Sequence, residues 1–93
     1  MKLFASNIHI RTGEYEFDYP LMIEAKSQKD AIDYANNYAK NFYIDEDVET
    51  LDQDYEFPSY EFHCGCVIVN IDFVIEVKDE KEWLEKFEHR FKI

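Results

Sequence analysis

Val67-Ile68-Val69-Asn70-Ile71-Asp72-Phe73-Val74-Ile75-Glu76-Val77 is the stretch of this sequence with the strongest β-strand pattern. Large apolar side chains occupy every second position from Val67 to Val77, and residues two apart project from the same face of a strand. Valine and isoleucine favour strands because their branched side chains pack well on a pleated surface. We therefore expect a central strand with its odd-numbered residues on one buried face.

The chain should change direction or phase just before this strand. Tyr60 and Phe62 alternate with the opposite parity, so the pattern has to shift between Phe62 and Val67. Gly65 tolerates the backbone of either a bulge or a turn between two strands. The pattern leaves open whether this region is one bulged strand or two strands.

Residues after Val77 carry the signals of a helix. Asp79, followed three residues later by Glu82, suits a helix N-terminus. Helical spacing then places the large apolar side chains on one stripe, which consists of Trp83, Leu84, Phe87 and Phe91. We expect this second helix to pack on the sheet.

The first 25 residues have the pattern of a β-hairpin. Residues 2–10 and 14–25 alternate apolar and polar side chains, and Thr12-Gly13 between them suits a tight turn. Pro20 has no backbone N–H, so we expect a bulge or a sheet edge at that position.

A two-residue loop at Thr12-Gly13 also predicts the register of this hairpin. The apolar pairs would be Ile10 with Tyr15 and Ile8 with Phe17. On the other face, the acids of the second strand would lie opposite polar residues of the first: Glu14 opposite Arg11, Glu16 opposite His9, and Asp18 opposite Asn7.

A helix should follow the hairpin. Ser27 and Asp30 resemble a capping box, with Asp in place of the usual Glu, and the helix is expected to run to about Phe42. Its sheet-facing residues are predicted to be Ile32, Ala35, Ala39 and Phe42, with Ala31, Tyr34 and Tyr38 at the margin.

These elements predict one α+β domain spanning 1–93. The expected order is β-β-α, an acidic connection at about 44–58, then β-(β)-α. Two helices packed on one face of a small, mostly antiparallel sheet would bury the apolar stripes.

The acidic connection holds most of the excess charge of the chain. Residues 45–56 carry seven carboxylates and no Lys or Arg, and residues 44–66 account for eight of the eleven net negative charges. A uniform solubilising surface would spread its charge more evenly. Val48 and Leu51 fit one short helical turn or an ordered loop equally well. Acidic surfaces repel phosphate backbones and anionic membranes, so the expected partner is a basic protein.

Mimicry of a nucleic acid backbone is the functional interpretation that uses this charge best. Carboxylates on one face of a strand lie about 6.6 Å apart, and duplex DNA has one charge per about 3.4 Å along each strand. The predicted partner-binding residues form two rows: Glu14, Glu16 and Asp18 in the hairpin, and Asp45, Asp47, Glu49, Asp52, Asp54 and Glu56 in the acidic connection.

Metal binding is the alternative use of the same acids. Asp45, Asp47, Glu49 and Glu56 match the acidic positions of an EF-hand loop. Thr50 stands where that loop needs Gly, Asp52 where an apolar residue is usual, and Phe57-Pro58 where the second helix should begin. A zinc site at His63, Cys64 and Cys66 is disfavoured because adjacent strand residues point to opposite faces. We therefore predict no metal and no other cofactor.

No catalytic motif or phosphate-binding loop occurs, and we predict a protein that is not an enzyme.

The N-terminus lacks the apolar run of a signal peptide, and no segment approaches the roughly 20 apolar residues of a membrane span. Cys64 and Cys66 are too close for an unstrained disulfide, so a cytoplasmic location is expected.

In size, acidity and lack of catalytic motifs the chain resembles the small anti-defence proteins of bacteriophages and mobile elements, including anti-CRISPR and anti-restriction inhibitors. The stretch 21–31, Leu-Met-Ile-Glu-Ala-Lys-Ser-Gln-Lys-Asp-Ala, is similar to strand-to-helix junctions common in small phage proteins. This resemblance implies an inhibitor that binds a nucleic-acid-handling protein and not nucleic acid itself. An immunity protein or antitoxin against a nuclease, a calcium-binding module and a homodimerising domain remain the alternatives.

Overall fold

The computed structural model describes residues 1–43, 47–78 and 89–92. For Cys64 and residues 89–92 it describes the backbone alone. Six strands form one sheet in the order β3-β4-β5-β1-β2-β6. The first five are antiparallel to their neighbours, and β6 runs parallel to β2. The elements are β1 (Lys2–Thr12), β2 (Tyr15–Ala25), α1 (Gln28–Lys40), β3 (Val48–Leu51), β4 (Ser59–Phe62) and, after a 3-10 turn (His63–Gly65), β5 (Val67–Glu76) and β6 (His89–Lys92).

The β1–β2 hairpin forms as predicted, but its loop is Gly13-Glu14 instead of Thr12-Gly13. Ile10 consequently pairs with Phe17, and Thr12 pairs with Tyr15. Gly13 has φ +56 at the first loop position, as in a type II′ turn. A Thr12-Gly13 loop would have required positive φ at the β-branched Thr12, which explains the difference. Because the register moves by two residues, every side chain keeps its predicted face.

Strand β5 lies inside the sheet, as predicted, between β4 and β1. The alternation of buried and exposed side chains does not continue along the whole of β5. The pairing with β1 shifts by one residue between Asn7 and Ile8, so Asp72 has no partner in β1. This bulge exchanges the two faces of β5. Ile71 is buried before the bulge and Val74 after it, whereas Ile75 is 41% exposed. The expectation of one buried odd-numbered face was therefore wrong at Phe73 and Ile75, although Val77, just after the strand, is buried.

Gly65 belongs to a turn between two strands. Its φ is +90, and the 3-10 turn links β4 to β5 with Phe62 opposite Val67. Pro20 lies in β2 opposite Asn7, immediately before the four residues of β2 that pair with β6. Among the described strands, β2 has only β1 beside it at Pro20, so this position is at the sheet edge, one of the two alternatives expected there.

Helix α1 begins and packs largely as predicted. The Ser27 side chain accepts a hydrogen bond from the Asp30 backbone N–H at 3.2 Å, and the helix ends at Lys40. Three alanines at intervals of four form its buried stripe, namely Ala31, Ala35 and Ala39. Ile32 and Phe42 are only partly buried against the core. Because alanine has no side chain beyond Cβ, this stripe lets the helix lie close to the sheet.

The core fills the space between α1 and one face of the sheet. It consists of side chains from β1, β2, β4 and β5 together with the alanine stripe, including Phe4, Ile8, Ile10, Leu21, Ile23, Tyr60, Phe62, Val69, Ile71 and Val74. The opposite face of the sheet carries the polar side chains of the same strands, although Ala5 and Met22 are buried at one end of it.

Two predicted elements differ from this architecture. The acidic connection contains a strand, β3, in place of the short helix or loop expected around Val48 and Leu51. The predicted second helix lies mostly outside the described residues, as do Trp83, Leu84 and Phe87. Phe91, assigned to that helix, lies in β6 instead. The described chain is an α+β domain with one helix.

Candidate functional site

Cross-strand pairing places acids from both halves of the chain on the sheet face opposite α1. One row of paired residues crosses five strands and comprises Glu49, Glu61, Ile68, Arg11 and Glu16. The next row comprises Leu51, Ser59, Asn70, His9 and Asp18. Residues that pair directly share a face, so these rows are contiguous. Strands lie about 4.8 Å apart, which makes the first row about 19 Å wide.

We call this surface the acidic face and define it by its five carboxylates: Glu16, Asp18, Glu49, Glu61 and Asp72. Glu61 is half-buried, and the other four residues are exposed. The acidic face therefore joins one hairpin acid pair from β2 to one acid each from β3, β4 and β5.

Arg11 is the cation that interrupts the first row. Its Nε donates to Glu16 Oε1 at 3.1 Å, and both side chains are more than half exposed. Exposed ion pairs of this kind contribute about 0–1 kcal/mol to folding. Arg11 thus offsets one carboxylate of the face without adding much stability.

His9 occupies the centre of the β1–β2 half of the acidic face. Its Nδ1 lies 3.2 Å from Asp18 Oδ1, and its Nε2 lies 3.5 Å from Glu16 Oε1. The hydrogen bond to Asp18 is the main reason that the pKa of His9 is raised above its usual 6.5. Hydrogen bonds from Asn7 and His9 lower the pKa of Asp18 in return.

The bulge in β5 brings the Asp72 side chain next to those of Asn7 and Asp18. Asn7 Nδ2 donates both to Asp72 Oδ2 at 2.8 Å and to Asp18 Oδ1 at 2.9 Å. A single amide group therefore holds two carboxylates from different strands beside the imidazole of His9. Asp72 is absent from the predicted site residues, because nothing in the alternating pattern of the sequence marks where the bulge occurs.

We expect Asp18→Asn to lower the pKa of His9 towards 6.5, because it removes the acceptor that most stabilises the imidazolium. NMR titration of the His9 ring protons measures this, with Asp33→Asn on α1 as the matched control. A raised folded-state pKa means that, while Asp18 is ionised, the pair stabilises the fold fully below about pH 6.5 and that this contribution is lost as pH rises through the pKa of folded His9. An unchanged His9 titration in Asp18→Asn would contradict this arrangement.

The β3–β4 end of the acidic face has two acids and, in the described part of the chain, no compensating cation. Glu49 and Glu61 pair directly across the two strands. Within residues 1–43 and 47–78, no Lys or Arg lies within ion-pair distance of either one. Asp47 adjoins them at the rim of a shallow depression of about 200 Å³ that is also lined by Val48 and Gly65. Like charges directly opposite each other are destabilising, so this end is not optimised for folding alone.

The structure separates the acids that the sequence grouped as two rows. Glu16, Asp18 and Glu49 lie on the acidic face, and Asp47 lies beside it. Glu14 occupies the tip of the hairpin. The other described acids of the second row lie in the β3–β4 loop, namely Asp52, Asp54 and Glu56. Asp45 lies outside the described residues.

The β3–β4 loop turns away from the acidic face towards α1. Asp52 leaves β3 with φ +57, and the Glu56 carbonyl accepts a hydrogen bond from Asn36 Nδ2 at 2.9 Å. Phe57 then packs against the core. The loop acids are exposed, and Glu56 lies on the helix side of the domain.

This segment does not form the loop of an EF-hand. Val48–Leu51 is extended and paired with β4, so Glu49 projects onto the acidic face while Glu56 lies beside α1. Oxygens that diverge in this way do not meet at one ion. In the part of the chain that the structure describes, the group able to hold a metal is His9, Asp18 and Asp72.

The helix side of the domain carries an aromatic cluster that the sequence analysis treated only as core. Tyr19 stacks on Tyr38 with ring centroids 6.0 Å apart, and Phe42 meets both rings edge-on. Burial, followed by the hydrogen bond with Tyr19, raises the pKa of Tyr38 to about 12. An open cavity of about 470 Å³ lies against these rings, Tyr34 and the side chains of Asn37 and Asn41.

No family model, curated protein or solved structure matches this chain. Among the described residues, no helix is long and apolar enough to cross a membrane. The acidic face is therefore the feature of this chain that points to a function.

Proposed function

We propose that this protein is a non-enzymatic inhibitor that binds a basic, nucleic-acid-handling protein through its acidic face. The observation that carries the proposal is that Glu49, Glu61 and Glu16 lie in one row of paired residues across five strands, with Ile68 and Arg11 between Glu61 and Glu16. The sheet fixes the positions of these carboxylates relative to one another, so the face is preorganised for a partner of complementary charge.

The dimensions of the face suit a partner that ordinarily binds nucleic acid. Its five carboxylates lie on a face about 19 Å wide, three of them in the first row and Asp18 and Asp72 beside it, and one strand of duplex DNA presents five to six phosphates over that distance. Arg11 and His9 are the basic groups that β1 places among them. The face resembles a single phosphate row more closely than a whole duplex.

Two exposed aromatic side chains lie at the edge of the domain, on the strand that carries Glu16 and Asp18. Tyr15 is 69% exposed and Phe17 is 49% exposed, both on β2 next to Glu16 and Asp18 in sequence. They project from the helix side of the strand and not from the acidic face itself. Aromatic residues beside charge are enriched in the energetic centres of protein interfaces.

A nuclease toxin presents the same basic chemistry, so an immunity protein or antitoxin is the alternative within this proposal. Both versions place the protein with its partner in the cytoplasm, which agrees with an exposed free cysteine at Cys66. Neither version requires a cofactor.

Affinity capture from a host lysate tests the proposal. We expect a nucleic-acid-binding protein to be retained at low salt, released at high salt and displaced by duplex DNA, because DNA and the acidic face would compete for one basic groove. Retention that neither salt nor DNA reverses would overturn it.

A further inference from the structure

We propose that His9, Asp18 and Asp72 form a binding site for a divalent transition-metal ion. The metal-binding atoms of the three residues lie within 4.8 Å of one another. They come from three adjacent strands, β1, β2 and β5, so the sheet and not a loop holds them together. This inference does not rest on the proposed inhibitor function.

The spacing of the donor atoms fits one common ion. Metal–ligand bonds of roughly 2.0–2.2 Å at tetrahedral or octahedral angles place neighbouring ligands about 3 Å apart. His9 Nδ1 and Asp18 Oδ1 are 3.2 Å apart. A carboxylate oxygen of Asp72 lies within 4.8 Å of both, and the Asn7 amide, which donates to Asp72 Oδ2 and Asp18 Oδ1, holds the two carboxylates side by side.

Residues around the triangle supply the outer contacts that metal sites usually have. A histidine that binds metal through one ring nitrogen commonly donates its other N–H to a carboxylate. His9 Nε2 faces Glu16 Oε1 at 3.5 Å, and Arg11 holds the same oxygen at 3.1 Å. Glu16 would therefore fix His9 in the tautomer whose Nδ1 lone pair faces the ion.

The mixed donor set selects the class of ion. One imidazole nitrogen and two carboxylates suit Mn²⁺, Zn²⁺ and related ions better than Ca²⁺, which takes oxygen ligands. Asp18 and Asp72 are exposed, which leaves water to fill the remaining coordination positions. Metal binding displaces the proton from His9, so affinity should fall below the pKa of that residue.

Titration of the ¹⁵N-labelled full chain with Mn²⁺ tests the site, because the paramagnetic ion broadens the NMR signals of nearby amides. We expect Asn7, His9, Asp18 and Asp72 to broaden first at neutral pH and to sharpen again at pH 5. Asp72→Asn should weaken binding at least about tenfold, since removing outer contacts alone commonly has that effect.

Asp54→Asn is the matched control, because it removes the same charge from the exposed β3–β4 loop. It should leave Mn²⁺ affinity unchanged. Broadening centred on residues 47–56, equal affinity in Asp72→Asn and wild type, or no broadening at millimolar Mn²⁺ would each overturn the proposal. Unchanged chemical shifts away from residue 72 confirm that the Asp72→Asn variant is folded.

Discussion

Replacing Phe62 with Ala is expected to destabilise the domain by about 3–5 kcal/mol. Phe62 is 1% exposed at the end of β4, where it contacts the ring of Tyr43 with centroids 5.1 Å apart. The substitution removes buried apolar area and leaves a cavity, since the surrounding strands relax only partly. A domain of this size has about 5–15 kcal/mol of total stability, so the loss would be a large fraction of it.

Urea unfolding followed by circular dichroism measures this loss. Phe17→Ala is the matched control, because Phe17 is the same residue type on β2 and is 49% exposed. It should destabilise the domain by no more than about 1 kcal/mol. Equal losses in the two variants would mean that the β4 end of the sheet is not packed as described.

The local chemistry of the sequence was sufficient to predict the hairpin and the first helix. Alternation identified β1 and β2, and Ser27 with Asp30 located the start of α1. The sequence predicted the hairpin loop one residue too early, because the position of the loop depends on which residue adopts positive φ. Gly13 does so at the first loop position, and Thr12 remains in the strand.

The bulge at Asp72 could not be predicted from the same reasoning. Unbroken alternation from Val67 to Val77 suggests an unbroken strand, and an inserted residue is a property of the pairing with β1. Tertiary packing decided which apolar residues of β5 are buried. The bulge also brings Asp72 beside Asn7, which is why the candidate metal site was missed.

Charge counting located the acidic connection but could not show how it folds. Val48–Leu51 is a strand because it pairs with β4, and that pairing puts Glu49 opposite Glu61. The remaining acids follow Asp52 into the loop beside α1. Whether acids distant in sequence share a surface depends on strand order, which composition does not contain.

Neutralising the first row of the acidic face is expected to weaken binding of the captured basic protein at least about tenfold, or about 1.4 kcal/mol. The variant is Glu16→Gln, Glu49→Gln and Glu61→Gln in one chain. These side chains are exposed or half-buried, and Glu16 alone of the three has an ion-pair partner among the described residues. The fold should therefore tolerate all three changes.

The comparison that tests the acidic face most directly is the affinity of this row variant against that of a loop variant, Asp52→Asn with Asp54→Asn and Glu56→Gln. Both lose three charges, so net charge is equal and only position differs. We predict that the row variant loses affinity and salt dependence while the loop variant stays close to wild type. Equal losses in the two variants, or a larger loss in the loop variant, would contradict the assignment of binding to the acidic face.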